Sequence, residues 1–508
     1  MRLAPLLLLL APLLLGQMPQ PCRAAFQLLQ PDNFKHLFHD GKINASSPSD
    51  QGPLNEPAFQ WATANVPFFE CSDKDLEAAY AFRWRAYFTH LIPTNDTTNP
   101  WVVSECYSPT IPGRCDWAAP SGAINAAAGH HIREGRWIRD PIYMDSYTRF
   151  WFHLGGTGSL GSNGAYSSWI QHAAWQRAKA TGDTALFTQQ GEKNETLLQL
   201  MADAFDAKER QTRVDWENKQ PQSASLPHCY SMLDGWDAME GSISGGGCRP
   251  SNNAMFYGNA LAISELASAI GDAELAANYS ARAAAVREMY LSLLWNEEID
   301  FFAVWKDGTQ AKAGAHNATN GIPFGTNSAT DRNGKWVCGS GTPDGPGPAP
   351  APNVPSAVPH RPAHCPQTII NYSWPCNATV GVRELLGLGP PWYFAVPPPN
   401  ASAAKYMKSW ATLFDPQGFA AKWGPTTVER RNRCFNWTSD TGECNWAGPS
   451  WPFETSRVIT GLSNLLNDYP AQGTAGAMTK EHYMKVLRQF ALAHTQSHPA
   501  NSSLPYIG

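Results

Sequence analysis

Two turns of one design constrain this chain more than any other feature. Thr181-Gly182-Asp183 and Ile270-Gly271-Asp272 each sit between segments whose apolar residues recur at helical spacing. Tyr166, Ile170, Ala173 and Ala174 share a stripe before the first turn, and Leu197, Leu198, Met201, Ala204 and Phe205 share one after it. Ala260, Ile263, Ala267 and Ile270 lead into the second. In each turn the glycine takes the left-handed position that closes a helix, and the aspartate caps the next helix. Helices of about 15–20 residues repeated in such pairs point to a helical-hairpin architecture, with an irregular α-solenoid as the alternative. A further pair is expected at 452–467 and 480–497, while strand-like runs such as 301–305 are few and short. The stretch 339–362 is rich in Pro and Gly without apolar period and reads as a surface loop inserted into the fold.

The N-terminus carries an export signal. Arg2 precedes an apolar run from Leu6 to Leu15, broken only by Ala11 and Pro12, and Cys22-Arg23-Ala24 supplies small residues for cleavage. The expected division is therefore a signal peptide over 1–24, an N-terminal extension over 25–65 and one helical domain over 66–508. Removing the leader takes away Cys22, and an even number of cysteines in an oxidising compartment suggests disulfides. Cys434 with Cys444, and Cys106 with Cys115, are natural pairings by proximity, although sequence alone leaves the pairing open. No Cys-x-x-Cys occurs, so a zinc site, or any metal or other cofactor, is not expected. Asn-x-Ser/Thr signals at Asn44, Asn95, Asn194, Asn278, Asn317, Asn371, Asn377, Asn400, Asn436 and Asn501 agree with passage through the secretory pathway. With no membrane span after the leader, a secreted or luminal protein is expected. The 38 basic and 43 acidic residues leave a net charge of −5, which argues against a nucleic-acid partner.

Aromatic content is high, with 20 Trp, 16 Tyr and 22 Phe, and it concentrates beside glycines and carboxylates. GHHIREGRWIRD spans 129–140, DGWDAMEGSIS spans 234–244 and runs into Gly245–Gly247, WGPTTVERR spans 423–431, and WAGPSW spans 446–451. Rings stack on the C–H faces of sugars and carboxylates accept from their hydroxyls, so a carbohydrate partner is expected. Glycoside hydrolysis needs two carboxyl groups, one giving a proton to the leaving oxygen and the other activating water or attacking. Asp237 is the expected acid, because Trp236 and Met239 would form an apolar wall that keeps its proton on. Its plainer reading is a helix-start cap or a solvent-exposed loop carboxylate. Other signals carry less. His130-His131 with Glu134 lacks the spacing of a helical zinc motif. The run 155–158 lacks the ending of a phosphate loop, and there is no Gly-x-Ser-x-Gly elbow.

Taken together, these segments resemble the mannosylglycerate-hydrolase-like branch of the six-hairpin glycosidases, related to glycoside hydrolase family 63 and to trehalases. The resemblance begins near Val66 (VPFFECSDKDLEAAYAFRWRAYFTHL) and runs to the C-terminus. Gly135 to Asp140 looks like the family's Trp/Asp substrate element, Gly235-Trp236-Asp237 like the Gly-x-Asp that carries the general acid, and Trp446 to Trp451 like the signature lining the sugar pocket. The resemblance implies an all-α (α/α)6 toroid and hydrolysis of an α-glycoside with inversion. Asp237 would be its acid, and Trp137, Arg139, Asp140, Trp236, Glu240, Tyr257, Trp446 and Trp451 would contact the substrate. In relatives the general base is a glutamate just after a stretch resembling Leu504-Pro505-Tyr506-Ile507-Gly508, where this sequence stops. A truncated sequence or a lost base would each explain this, and Glu429 or Glu454 is the in-chain substitute, with Glu429 taken as the catalytic partner. The competing readings are a sugar-binding relative without turnover, and a polysaccharide lyase built on a similar toroid. Oligomeric state is not legible.

Overall fold

The structure, a computed structural model, describes residues 29–39, 54–94, 96–105, 122–152, 166–191, 194–212, 229–232, 234–239, 241–306, 378–432, 434–435, 446–469 and 478–494. The leader and the 339–362 insertion lie outside them. Helices dominate: α1 (Glu56–Asn65), α2 (Lys74–His90), α3 (Asn125–Gly135), α4 (Pro141–Phe152), α5 (Ile170–Thr181), α6 (Leu197–Thr212), α7 (Pro250–Ile270), α8 (Ala273–Leu293), α9 (Gly389–Tyr393), α10 (Pro452–Asp468) and α11 (Lys480–Ala493).

Local chemistry sets their ends. Gly182 at φ 73° closes α5 and Gly271 at φ 88° closes α7, as their place in the turns requires. Asp272 accepts from Leu275 N at 3.0 Å to start α8, and a reciprocal box between Thr479 and His482 starts α11. The first hairpin departs from expectation in one respect. Asp183 caps a one-turn helix, Ala185–Thr188, before the chain reaches α6.

Helix α7 is buried along nearly its whole length, which its apolar composition on all sides permits. It is one of five helices, α3, α5, α7, α9 and α10, that line a common axis, with α2, α4, α6, α8 and α11 outside them and α1 backing α2. The inner helices come close where small residues allow it. Gly129 of α3 faces the Trp169 indole before α5, Gly258 of α7 faces Phe394, and Gly461 of α10 faces the Gly389 carbonyl of α9. From α10 the ring returns to α3 through Phe453, whose ring centre is 4.7 Å from that of His130. This is the all-α toroid that the family resemblance implies, built of the paired helices that the hairpin turns predict, and the solenoid alternative falls. Between α2, α3, α10 and α11 lies a groove of about 750 Å³ lined by Trp84, Arg133, Trp137, Phe453 and Phe490.

One apolar core runs through these helices and includes Phe38, Phe59 and Trp61, so the described part of the N-terminal extension packs into the domain. A four-stranded antiparallel sheet, in the order β3 (Ser231–Met232), β4 (Gly247–Cys248), β7 (Trp305–Lys306) and β8 (Ala378–Thr379), closes the N-terminal end of α7. Its register pairs Ser231 with Cys248, Cys248 with Trp305 and Trp305 with Thr379. Two hairpins, β1 (Leu91–Pro93) with β2 (Trp101–Val103) and β5 (Trp295–Asn296) with β6 (Phe301–Phe302), complete the strands among the described residues. Cys229 and Cys248 form a disulfide beside β3 and β4, a pairing that proximity in sequence did not suggest. Cys434 is also disulfide-bonded and Cys71 is free, whereas Cys106, Cys115 and Cys444 lie outside the described residues. No helix among the described residues is long and apolar enough to cross a membrane.

Candidate active site

The N-terminal ends of α5, α7 and α10 converge on one buried polar cluster. The segment 234–239 supplies its centre. Gly235–Asp237 forms a single 3-10 turn that ends at Ala238 with φ 56°, a left-handed conformation that costs a residue with a side chain about 1–2 kcal/mol. That turn aims Asp237 inward, where it has no exposed surface. Oδ1 accepts from Ser167 Oγ at 2.6 Å, and Oδ2 accepts from Arg249 Nε at 2.7 Å and from Ser251 Oγ. The apolar wall expected around this carboxyl is therefore not what surrounds it. Three donors meet its two oxygens, and one belongs to a cation.

Arg249, just before Pro250 at the start of α7, is itself fully buried. Its guanidinium also donates to Ser242 Oγ at 3.1 Å and to the Gly245 carbonyl. The glycine-rich run that carries these acceptors is pinned from below. Lys306 Nζ donates to the carbonyls of Ser244, at 2.6 Å, and Gly246, while Glu384 accepts from Ser244 N at 3.1 Å and from its hydroxyl. A Cβ on Gly247 (φ 142°) would come within 2.8 Å of the Trp305 carbonyl, so only glycine fits this close strand approach. Burial lowers the Lys306 ammonium to about 7 and raises the Asp234 carboxyl, whose Oδ2 has no hydrogen-bond partner among the described residues. Arg249, Lys306, Glu384 and the two serines are single polar residues without a telling spacing. The only hint of them in the sequence is the glycine run that precedes Arg249-Pro250.

Glu454 enters the same cluster from the first turn of α10 and has no exposed surface. Burial, reinforced by the negative charge of Asp237, raises its carboxyl to about 7 against the pull of Arg457 and Arg249. Trp446 and Trp451 stack with ring centres 5.2 Å apart at 13°, and Trp446 shares an apolar cluster with Met239 and Phe453. Trp236 is half-buried, its ring edge-on to Tyr166 at 5.3 Å and its carbonyl accepting from Ser167 N. Asp237, Trp236, Trp446 and Trp451 are thus brought to one end of the toroid.

Other sequence-predicted residues lie elsewhere. Trp137, Arg139 and Asp140 follow the C-terminal end of α3, about 16 Å along the helix from its start. Trp137 is 50% exposed beneath the Arg136 guanidinium on the groove, and among the described residues the Arg139 guanidinium reaches the carbonyls of Thr63 and Ala64 at 3.5 Å. Asp140 accepts from Ile142 N at 3.0 Å and starts α4. Tyr257, two turns into α7, bonds Arg287 of the outer helix α8 and so points away from the axis. Glu429 is held by Arg383 at 3.1 Å and Arg431 at 3.1 Å, and burial raises its carboxyl against the pull of Arg383. Glu240 lies outside the described residues. Among the described residues no group of His, Cys, Asp and Glu is arranged to hold a metal ion.

A solved structure titled sialidase shares 24% identity over 95% of this chain at a TM-score of 0.65, and the chain spans 35% of that protein, a likeness of fold. A mannosylglycerate hydrolase of glycoside hydrolase family 63 from Thermus thermophilus, solved with glucose, shares 12% identity over 82% of this chain and 88% of that one. Its TM-score of 0.28 gives it no weight here. No curated protein sequence matches significantly. The sequence matches the mannosylglycerate hydrolase MGH1-like glycoside hydrolase domain over residues 120–505, which takes in α3 to α11 and every element of the polar cluster. With most of its length matched, the chain belongs to the MGH1-like glycoside hydrolase family.

Proposed function

We propose that the protein is a glycosidase of the secretory pathway that hydrolyses an α-linked sugar with inversion, Asp237 being one of its two working carboxyls. The observation that carries this reading is a carboxyl held by Ser167, Arg249 and Ser251 at the closed end of a toroid, beside the stacked Trp446 and Trp451. Fixed donors and a buried ion pair hold the reacting group in one geometry, and indole faces suit the C–H faces of a sugar ring. Trp236, Trp446 and Trp451 form the sugar wall. The sequons at Asn194, Asn278 and Asn400 sit on exposed surface, where attached glycans would meet no packed neighbour, in keeping with export.

Asp237→Asn keeps the size of the side chain and removes its charge. Release of reducing sugar is expected to vanish, while calorimetric binding of the same sugar persists. Undiminished turnover in that variant removes Asp237 from the mechanism. Proton NMR of the first product formed should show the anomer opposite to the substrate's, and a retained anomer rejects inversion.

A second reading, a sugar-binding relative without turnover, draws on Glu429. Two arginines occupy that carboxylate, leaving it poorly placed to activate water. Binding of glycans with no product from any of them would favour this reading.

A further inference from the structure

We propose that a pocket between the two layers of helices is a second carbohydrate-binding site, one that takes a single neutral sugar ring. The pocket holds about 310 Å³, at the lower end for ligand sites, which suits one ring and not a chain. Its walls are the last turn of α4, the starts of α5 and α7 and the middle of α6. Neither Asp237 nor the stacked Trp446 and Trp451 lines it. It lies behind the carboxyl cluster: Ser167 and Ser251, which donate to Asp237, are each followed in the chain by a residue that lines the pocket, Ser168 and Asn252. Sugar binding here does not need Asp237, so the inference goes beyond the glycosidase reading and stands without it.

The sequence keeps this space open with alanines. Ala204 and Ala207 of α6 line it, where larger residues would fill it. Trp151, Tyr166 and Phe256 supply aromatic surface, and a pyranose offers C–H faces to such rings. Among the rings stand buried amides that are incompletely bonded. Asn125 is 5% exposed, and its Nδ2 donates to the Tyr166 carbonyl at 3.1 Å, while its Oδ1 accepts from no described residue. Gln171 Nε2 donates to the Met201 carbonyl at 3.4 Å and Asn252 Nδ2 to the Tyr230 carbonyl at 3.2 Å, and among the described residues nothing donates to either side-chain oxygen. Asn259 is engaged on both sides, accepting from His172 N at 3.2 Å and donating to the Ser168 carbonyl at 2.9 Å, and so braces the wall.

These walls select among ligand classes. A buried acceptor left without a donor is costly, so a wholly apolar occupant is disfavoured beside Asn125. Sugar hydroxyls donate and accept, and they match amides, which do both. Charge gives an anion no advantage. No carboxylate lines the pocket, and the one cationic side chain that does, Lys208, is lowered by burial to about 7 against the pull of Asp237. An amine only partly charged near neutral pH donates to a hydroxyl without demanding a counter-ion.

The test is saturation-transfer NMR and calorimetry on the full chain, with D-glucose, D-mannose and D-galactose as probes and indole as the apolar control. At least one of the sugars should bind better than indole. Ala207→Trp, at an exposed position on the rim, fills the pocket without removing a hydrogen bond and should abolish that binding component. Gln171→Leu, of similar size, should weaken it about three- to tenfold, the loss of one hydrogen bond. The same component should persist in Trp451→Ala, which alters the site beside the carboxyl cluster. Unchanged sugar binding in Ala207→Trp, no sugar binding at all, or tighter binding of indole than of every sugar overturns the inference. Failure of the glycosidase reading looks different: no glycoside is cleaved, yet the component that Ala207→Trp removes is present in the wild type.

Discussion

Arg249 and Glu454 show how much rests on single side chains in this core. Among the described residues Arg249 is the one cation bonded to Asp237, and both are closed off from water. Arg249→Met strands a buried carboxylate with two serine donors and is expected to cost about 3–5 kcal/mol in denaturant unfolding. A cost below about 1 kcal/mol, the size of a surface ion pair, would mean that water reaches the pair. Glu454 has the opposite sign. Its folded carboxyl holds a proton up to about 7, against an ordinary 4.5, so between those values the folded state binds more protons than the unfolded one. Its contribution to stability is full below 4.5 and is lost as pH rises through 7. Glu454→Gln carries no such proton. Thermal scans should find the variant similar to wild type near about pH 4 and more stable near about pH 8. A variant that is less stable at the higher pH contradicts a protonated Glu454. None of this was readable from the sequence around Asp237. Trp236 and Met239 are its neighbours along the chain, but Ser167, Arg249 and Ser251 are its neighbours in space.

At the scale of elements, the hairpins were legible because their signals are local. A glycine that must adopt positive φ and an aspartate that caps the next turn act within a few residues, and Gly182 and Gly271 do what their dipeptides promise. The contacts between inner helices are not local. Gly129 looks like any small residue in a helix, yet a Cβ there would lie within 2.6 Å of the Trp169 ring. Gly129→Ala should therefore force α3 from α5 and cost about 1–3 kcal/mol by denaturant unfolding. Gly182→Ala meets open space and should cost only the left-handed penalty of about 1–2 kcal/mol. A tolerated Gly129→Ala would show that the two helices slide freely. The segment 135–140 shows how helix length separates residues that composition groups together. Its Trp, Arg and Asp have the composition of a sugar site, but the length of α3 carries them to the far end of the ring.

At the scale of the whole molecule, the Cys229–Cys248 disulfide ties the sheet to the start of α7 across a separation of 19 residues. A loop of that size restrains the unfolded chain by about 3 kcal/mol, so Cys229→Ser with Cys248→Ser should lower unfolding free energy by about that amount. No change would place the stability of this end in the Lys306 and Glu384 bonds alone. The sequence by itself determined the helical class, the hairpin turns, the family resemblance and the aromatic character of the site, since each depends on spacing along the chain. Only the tertiary structure decided which carboxyls stand together. Donors from two separate helix starts, those of α5 and α7, meet Asp237, and Glu454 approaches it across more than two hundred residues. Proton affinity is set by what surrounds a group in space, and periodicity along a chain holds no record of that.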